Sequence, residues 1–284
     1  MSSSTDYVQS AEFPENYGDF QLVSSNHVIF SFPRFLLSHG SPVFKDMLRI
    51  GTGDSSDYET DKLQLTEDST TLDQLLRFLD TTKKPLPIHM DTVEGLLESA
   101  QKYQVEQVFD YWEEQMIVRD VEMHVIGIRH PMMSFFLAAR FRRDEFARLA
   151  LREFIRAPDS NLDLPKGFMV EHRRIIHLTR LRQERSRYLI DYIYDFHRGM
   201  GPNDCCTEQA MTMMGAKTIP LVLELMKEPS WATFERNMSV WPGCPVKSKG
   251  HHKGSRVKFE SWKRKILEEE MALPETAQYL LFLD

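Results

Sequence analysis

The chain has 284 residues and a formal net charge of −7, and 42% of its side chains are hydrophobic and 27% charged. These values are typical of a globular protein with one large domain or two ordinary ones. The longest apolar runs, such as the six residues from Ser134, are too short to span a bilayer, and the polar, acidic start lacks the features of a signal peptide.

A loose, polar lead-in is predicted over residues 1–15. Two runs rich in β-branched and aromatic residues follow it, DFQLV at 19–23 and VIFSF at 28–32, and the short segment between them contains Ser and Asn. This composition predicts a β-hairpin.

Two prolines then mark the starts of two short helices. Pro33 and Pro42 each fit the first helical position, where the missing N–H of proline costs nothing. Gly40 is predicted to end the first helix in a left-handed conformation, and Ser41 is predicted to cap the second.

The apolar side chains of these two helices have two readings. We predict that Phe35, Phe44 and Leu48 belong to the core, which is the usual fate of such a stripe. Met47, or part of the acidic loop at 54–61, is instead a candidate for contact with a partner.

Four further elements follow this loop. KLQL at 62–65 alternates as a short strand does, and a capping box from Thr70 to Asp73 predicts the start of a helix. Apolar residues at helical spacing predict this helix and two more. They are Leu72, Leu75, Leu76 and Leu79 in the first helix, Val93, Leu96, Leu97 and Ala100 in the second, and Val105, Val108, Phe109, Trp112 and Met116 in the third.

The order strand, strand, helix, helix, strand and three helices predicts an α+β fold, a small sheet with helices clustered on it. Over about residues 13–116 this order resembles the BTB (POZ) domain, and the chain is most similar to fungal BTB-domain proteins with a helical C-terminal region. The matching residues are Asp19, the segment 32–37, Ser41, Phe44, Leu48, the segment 63–68, Leu96, Ala100 and Tyr103. The resemblance implies a non-catalytic adaptor or scaffold that binds other proteins, a second copy of itself or a cullin of a ubiquitin ligase.

Two departures from the family pattern limit what the resemblance implies. The segment before residue 19 contains a proline and a glycine and no apolar stripe, which argues against the helix that many members use for a strand-exchanged dimer. Cullin-binding members often carry an apolar-x-Glu motif in the loop after the second short helix. Glu59 is the single glutamate of that loop here, and Asp57 stands where the motif has an apolar residue. Met47, Asp57 and Glu59 remain the candidate partner-binding residues.

Charge divides the chain into an acidic front and a mildly basic back. Residues 1–116 contain 20 acidic and 8 basic side chains, and the remainder contains 22 acidic and 27 basic ones.

A helix pair is predicted within 130–155 and a longer helix at about 170–197. The predicted organisation is a lead-in at 1–15, a BTB-like domain at 16–117, a helical extension at 118–200 and a helical C-terminal region with a basic loop at 201–284.

The longer helix is rich in arginine, and this has two interpretations. We favour a solvated face that offsets the acidic front, because no aromatic platform or known DNA-binding motif accompanies the arginines. The alternative is a nuclear regulator that contacts nucleic acid through this helix or the basic loop. The arginines are Arg173, Arg174, Arg180, Arg182, Arg185 and Arg187.

Zinc is the one cofactor that the residue types allow. Thiolate and imidazole are zinc ligands, but adjacent cysteines do not easily bind one ion and Cys244 lacks a nearby second cysteine. We therefore favour buried thiols and loop histidines, with no cofactor. The weak zinc candidates are Cys205, Cys206, Cys244, His251 and His252.

No nucleophile elbow, phosphate-binding loop, dinucleotide fingerprint or HExxH helix occurs in the sequence. We therefore predict no enzymatic activity. With only three cysteines a disulfide scaffold is not expected, and we expect the protein in the cytoplasm or the nucleus.

Overall fold

A computed structural model describes the chain, and it describes residues 7–51, 62–119, 121–123, 125–157, 172–199, 219–238, 260–261 and 263–265. The chain divides into two compact units, Met1–Ile126 and Gly127–Asp284. Within the described ranges, no helix is both long and apolar enough to cross a membrane.

A four-stranded sheet with the strand order β1-β3-β2-β4 forms the base of the first unit. β2 and β3 pair antiparallel, with Phe20 opposite Phe32 and Leu22 opposite Phe30, which confirms the predicted hairpin. β4 pairs parallel with β2. Because partners across a ladder point to the same face, these four side chains form one apolar face. The strands are β1 (Val8–Gln9), β2 (Phe20–Val23), β3 (Val28–Phe32) and β4 (Lys62–Gln64).

Five helices accompany the sheet in the described part of the first unit. They are α1 (Arg34–Gly40), α2 (Pro42–Gly51), α3 (Ser69–Leu79), α4 (Val93–Tyr103) and α5 (Glu106–Met116). The predicted apolar stripes of α3, α4 and α5 are buried, as the helical spacing required. This α+β arrangement of a small sheet and clustered helices is the predicted fold class.

The predicted lead-in at 1–15 differs from what the structure shows. Val8–Gln9 forms a strand parallel to β3, and the Ser31 N–H donates to the Phe13 carbonyl at 3.1 Å. The Phe13 ring is fully buried, 5.5 Å from the Phe32 ring centroid. The loose lead-in is therefore wrong from residue 8 onward, because a two-residue strand is too short to show an alternating pattern.

Two helix-end predictions are also wrong. Gly40 is the last residue of α1 and has no left-handed φ, and a Cβ there would lie 2.6 Å from Leu79 Cδ2. Close packing against the tip of the Leu79 side chain, and not backbone conformation, favours the glycine here. At α3 the cap is Asp68 and not Thr70, because the Asp68 carboxylate accepts from the Thr71 N–H at 2.9 Å.

The remaining elements include a short sheet that the sequence patterns did not predict. β5 (Ile117–Arg119) and β6 (Val125–Ile128) form a two-stranded sheet. The predicted helix pair and the arginine-rich helix are confirmed. Described helices of the second unit include α6 (Pro131–Arg140), α7 (Asp144–Arg156), α8 (His172–Gly199), α9 (219–227) and α10 (Trp231–Met238). The predicted domain boundaries at 118 and 201 stay predictions.

Candidate functional site

The exposed apolar side chains of α1 and α2 form the strongest candidate site. Phe35 of α1 is 68% exposed, and Met47 and Ile50 of α2 are 37% and 76% exposed. Met47 and Ile50 are three residues apart and therefore share one side of α2. We call these three side chains the α1–α2 surface. Exposed large apolar side chains mark candidate protein-binding surfaces.

Phe35 corrects a prediction, because the sequence pattern placed it in the core. Leu37, two residues later, is fully buried. Residues two apart lie about 200° from each other around a helix, so only one of the two can face the core. This spacing was present in the sequence and indicates that one of the two is exposed, but it does not indicate which one. Phe44 is buried as predicted, and Leu48 is half-buried.

The start of α1 is fixed by a carboxylate. The Arg34 N–H donates to Asp19 Oδ1 at 2.8 Å, and the Arg34 guanidinium lies 4.8 Å from the centroid of the Phe20 ring. Asp19 precedes β2, so this contact ties the start of α1 to the sheet.

The start of α2 is held by a buried hydroxyl. Ser41 Oγ accepts from the Phe44 N–H at 3.1 Å, as predicted for an N-cap, and donates to the Tyr103 carbonyl at 2.6 Å. The Phe44 and Tyr103 rings stack with centroids 4.4 Å apart. The last turn of α4 therefore sets the position of α2 and of the exposed side chains on it.

An ion pair between the exposed Lys102 and the largely buried carboxylate of Glu67 extends this arrangement. Tyr103 Oη donates to Glu67 Oε2 at 2.7 Å, and Lys102 Nζ lies 2.7 Å from Glu67 Oε1. Burial raises the pKa of Glu67, but the hydrogen bonds from Lys102 and Tyr103 outweigh it and hold that pKa below its usual value. Burial, and the carboxylate beside it, raise the pKa of Tyr103 well above its usual value. The network is structural, since its atoms are engaged with one another.

The other predicted site residues lie outside the described residues. They are the partner candidates Asp57 and Glu59 and the zinc candidates Cys205, Cys206, Cys244, His251 and His252. Among the residues that the structure does describe, no group of three or more His, Cys, Asp or Glu side chains is arranged to hold a metal ion.

The arginine-rich helix has an internal role that sequence reasoning missed. Arg182 is buried, and it donates to the carbonyls of Phe154, Ile155 and Ala157 at the end of α7 and of Lys227 at the end of α9. Arg185 donates to the Pro229 carbonyl at 2.8 Å. The Arg182 guanidinium therefore satisfies carbonyls at the ends of α7 and α9, and Arg185 satisfies a carbonyl of the loop that follows α9.

Exposed arginines of the same helix have acidic neighbours. Arg180 Nε lies 2.9 Å from Glu184 Oε1, and Arg187 Nε lies 3.8 Å from Asp191 Oδ2. Both pairs are spaced four residues apart on α8. These contacts favour the interpretation of α8 as a solvated helix over that of a nucleic-acid face.

Comparison with known proteins gives one family. A family model of the BTB/POZ domain matches residues 10–119, which contain strands β2 to β5 and helices α1 to α5. No curated protein matches the chain.

Proposed function

Because residues 10–119 form a BTB/POZ domain, a protein-interaction module, we propose that this chain is a non-catalytic adaptor or scaffold that contacts its partner through the α1–α2 surface. The exposure of Phe35 and Ile50 on consecutive helices carries this proposal. Such side chains gain free energy when a partner covers them, at about 25 cal/mol per Å² of apolar area. Cytoplasm and nucleus are the proposed compartments.

The proposal has two specific forms. In one, a second copy of the chain covers the α1–α2 surface. In the other, a cullin covers it, and the chain presents substrates to a ubiquitin ligase. Asp57 stands two residues before Glu59, where the motif of cullin-binding members has an apolar residue. We therefore place self-association first.

Three single variants of the full chain test the surface. Phe35→Glu and Ile50→Glu place a charge on it, whereas Ile176→Glu places the same charge on α8 at a side chain that is 66% exposed. We expect the first two to weaken binding by more than about tenfold, because a buried unpaired charge costs over about 1.4 kcal/mol. The Ile176 variant should bind as the wild type does.

Size-exclusion chromatography with light scattering reports self-association, and titration with a purified cullin reports the ligase form. A wild-type chain that stays monomeric at all micromolar concentrations would rule out self-association as its main role. Absence of cullin binding would rule out the ligase form. If the wild type neither self-associates nor binds the cullin, or if the three variants behave alike, the α1–α2 surface is not the binding surface.

A further inference from the structure

The outer side of α9 in the second unit is apolar and exposed. Ile219, Leu223 and Met226 stand at positions i, i+4 and i+7 of this helix, and they are 68%, 54% and 59% exposed. Residues at this spacing share one side of a helix. The half-buried Val222 lies on the same side. We call these four side chains the α9 stripe.

The opposite side of α9 is apolar as well. Leu221 and Leu225 are fully buried, and the Lys227 carbonyl at the end of the helix accepts from Arg182 of α8. This side of α9 therefore faces the interior of the second unit. Apolar residues all around a helix are typical of helices that are covered on every side. The α9 stripe thus has the composition of a surface that another segment covers.

The charges of α9 favour an occupant without charge. The charged side chains of this helix are Glu224 and Lys227, and Lys227 Nζ lies 3.7 Å from Glu224 Oε1. Since the two opposite charges are paired with each other, they offer little attraction to a charged segment. An apolar, uncharged segment therefore fits the stripe best.

The size of the stripe favours an occupant from the same chain. A helix over residues 219–227 is only about 13 Å long. A contact confined to its outer side is well below the area of about 800 Å² that each partner buries in a stable interface between separate proteins. A segment of the same chain needs less area, because its attachment gives it an effective concentration in the millimolar range.

One segment of the chain has the matching composition. Outside the described ranges, the longest run of apolar residues is YLLFL at 279–283, and the eight residues 276–283 carry no charge. This segment lies outside the described residues. Its five large apolar side chains are similar in number and size to those of the α9 stripe.

The chain before this segment is long enough to reach α9. The segment begins about 14 residues after Lys265, a described residue, and these residues span at most about 46 to 50 Å. A compact unit the size of Gly127–Asp284 has a radius of gyration of about 15 Å, which corresponds to a sphere about 40 Å across. The segment can therefore reach any surface of its own unit.

We propose that the segment 279–283 binds the α9 stripe within the same chain, with its apolar side chains packed against Ile219, Leu223 and Met226. The contact removes apolar area from water on both sides, and this burial is its driving force. The inference concerns the second unit alone, so it is independent of the α1–α2 surface.

A synthetic peptide tests the proposal directly. A fluorescent peptide of residues 275–284 is titrated with the full-length chain that carries Leu281→Ser and Phe282→Ser, which we call the tail variant. We expect a Kd of about 100 μM or tighter, because a contact within one chain needs no higher affinity at a millimolar effective concentration. Adding Leu223→Glu should weaken binding about tenfold or more. Adding Ile176→Glu, at a side chain of α8 that is 66% exposed, should leave binding unchanged.

Hydrogen exchange tests the contact in the full chain without added peptide. Amides of α9 should exchange about fivefold faster or more in the tail variant than in the wild type, because the helix loses the contacts of its outer side. In a chain that already carries Leu223→Glu, the two tail substitutions should change the exchange of α9 by less than about twofold, since the contact is already lost. Equal effects of the tail substitutions in both backgrounds would contradict the contact.

Other results would also overturn the inference. If the tail variant binds no peptide at about 300 μM protein, or if Leu223→Glu and Ile176→Glu bind it equally, the segment does not use the α9 stripe. If light scattering shows that Leu223→Glu converts a dimer to a monomer and the tail substitutions do not, a second copy covers the stripe instead. Circular dichroism verifies that each variant is folded, and Leu223→Ser, which adds no charge, replaces Leu223→Glu if the latter is not.

Discussion

Gly18 lies where two stretches of backbone approach too closely for any side chain. A Cβ at this position would lie 2.1 Å from the Phe32 carbonyl carbon and 2.3 Å from the Pro33 nitrogen. Backbone atoms at the end of β3 cannot move aside as the tip of a flexible side chain can. The glycine therefore sets how the segment before β2 passes the start of α1.

We expect Gly18→Ala to lower the free energy of unfolding by at least about 3 kcal/mol, since the added methyl group forces the backbone apart. Gly95→Ala is the matched control. It lies within α4, where a Cβ would meet only Thr71 Oγ1 at an ordinary 3.6 Å, so alanine should raise the stability by about 0.5 to 1 kcal/mol. Urea denaturation measures both. Equal effects of the two substitutions would contradict the close approach at Gly18.

Tyr103→Phe tests the buried pair of Tyr103 and Glu67. At pH 7 we expect the free energy of unfolding to fall by about 1 to 2 kcal/mol, because the carboxylate loses one hydrogen-bond donor. The pKa of Glu67 is held below its usual value, so its contribution to stability is present above that usual value and is lost as pH falls through the folded-state pKa.

The difference between Tyr103→Phe and the wild type should therefore shrink as pH falls below about 4. Urea denaturation at pH 7 and at successively lower pH values measures it. Tyr111→Phe is the control, because the Tyr111 ring packs edge-on against Phe78 at 5.4 Å and the substitution preserves that ring. A difference that stays constant with pH would show that the Glu67 carboxylate is not the group involved.

At the scale of elements, periodicity decided what could be predicted. α3, α4 and α5 each present several apolar residues at helical spacing, and the structure buries them. β1 and β5 have two and three residues, too few for a pattern of period two to appear. Phe35 was misplaced because α1 has only seven residues and its apolar residues are adjacent, so composition did not indicate which one faces the core.

The site was predictable only in part, and for a physical reason. Met47 was one of the candidates for contact with a partner, and its side chain is 37% exposed; its role in binding stays a prediction. The place of the first described segment on the sheet was not predicted, because it needs the parallel pairing of β1 with β3, which sets Gln9 opposite Ile29. Contacts between residues far apart in sequence leave no local pattern that a reading of composition or spacing can detect.

Substitution of Arg182 tests how this side chain stabilises the ends of the neighbouring helices. Arg182→Met should weaken the ends of α7 and α9 by about 3 kcal/mol, because several helix-terminal carbonyls lose a charged donor in a buried place. Arg180→Met, whose guanidinium pairs with Glu184 on the surface, should change stability by less than about 0.5 kcal/mol. Hydrogen exchange measured by mass spectrometry on peptides from α7 and α9 distinguishes the two, and similar exchange in both variants would contradict the role of Arg182.

At the scale of the whole molecule, charge argues against nucleic acid as the partner. Residues 1–116 carry 12 more acidic than basic side chains, a balance that repels phosphates. The full chain should therefore show no binding to duplex DNA by fluorescence polarisation at about 50 mM salt, conditions that favour phosphate contacts. Binding that weakens steeply as salt is raised would instead support the alternative of a nucleic-acid regulator.

The parallel pairing of β2 with β4 has a consequence for how the chain folds. Leu22 and Leu63 face each other across this ladder although 41 residues separate them, whereas β2 and β3 join through a short turn. Local hairpins close quickly, and distant pairings must first overcome the entropy of a long loop. On the ribosome, the hairpin of β2 and β3 can form early. The other side of β2 is then an open sheet edge with unpaired backbone groups until residues 62–64 have been synthesised and can pair with it.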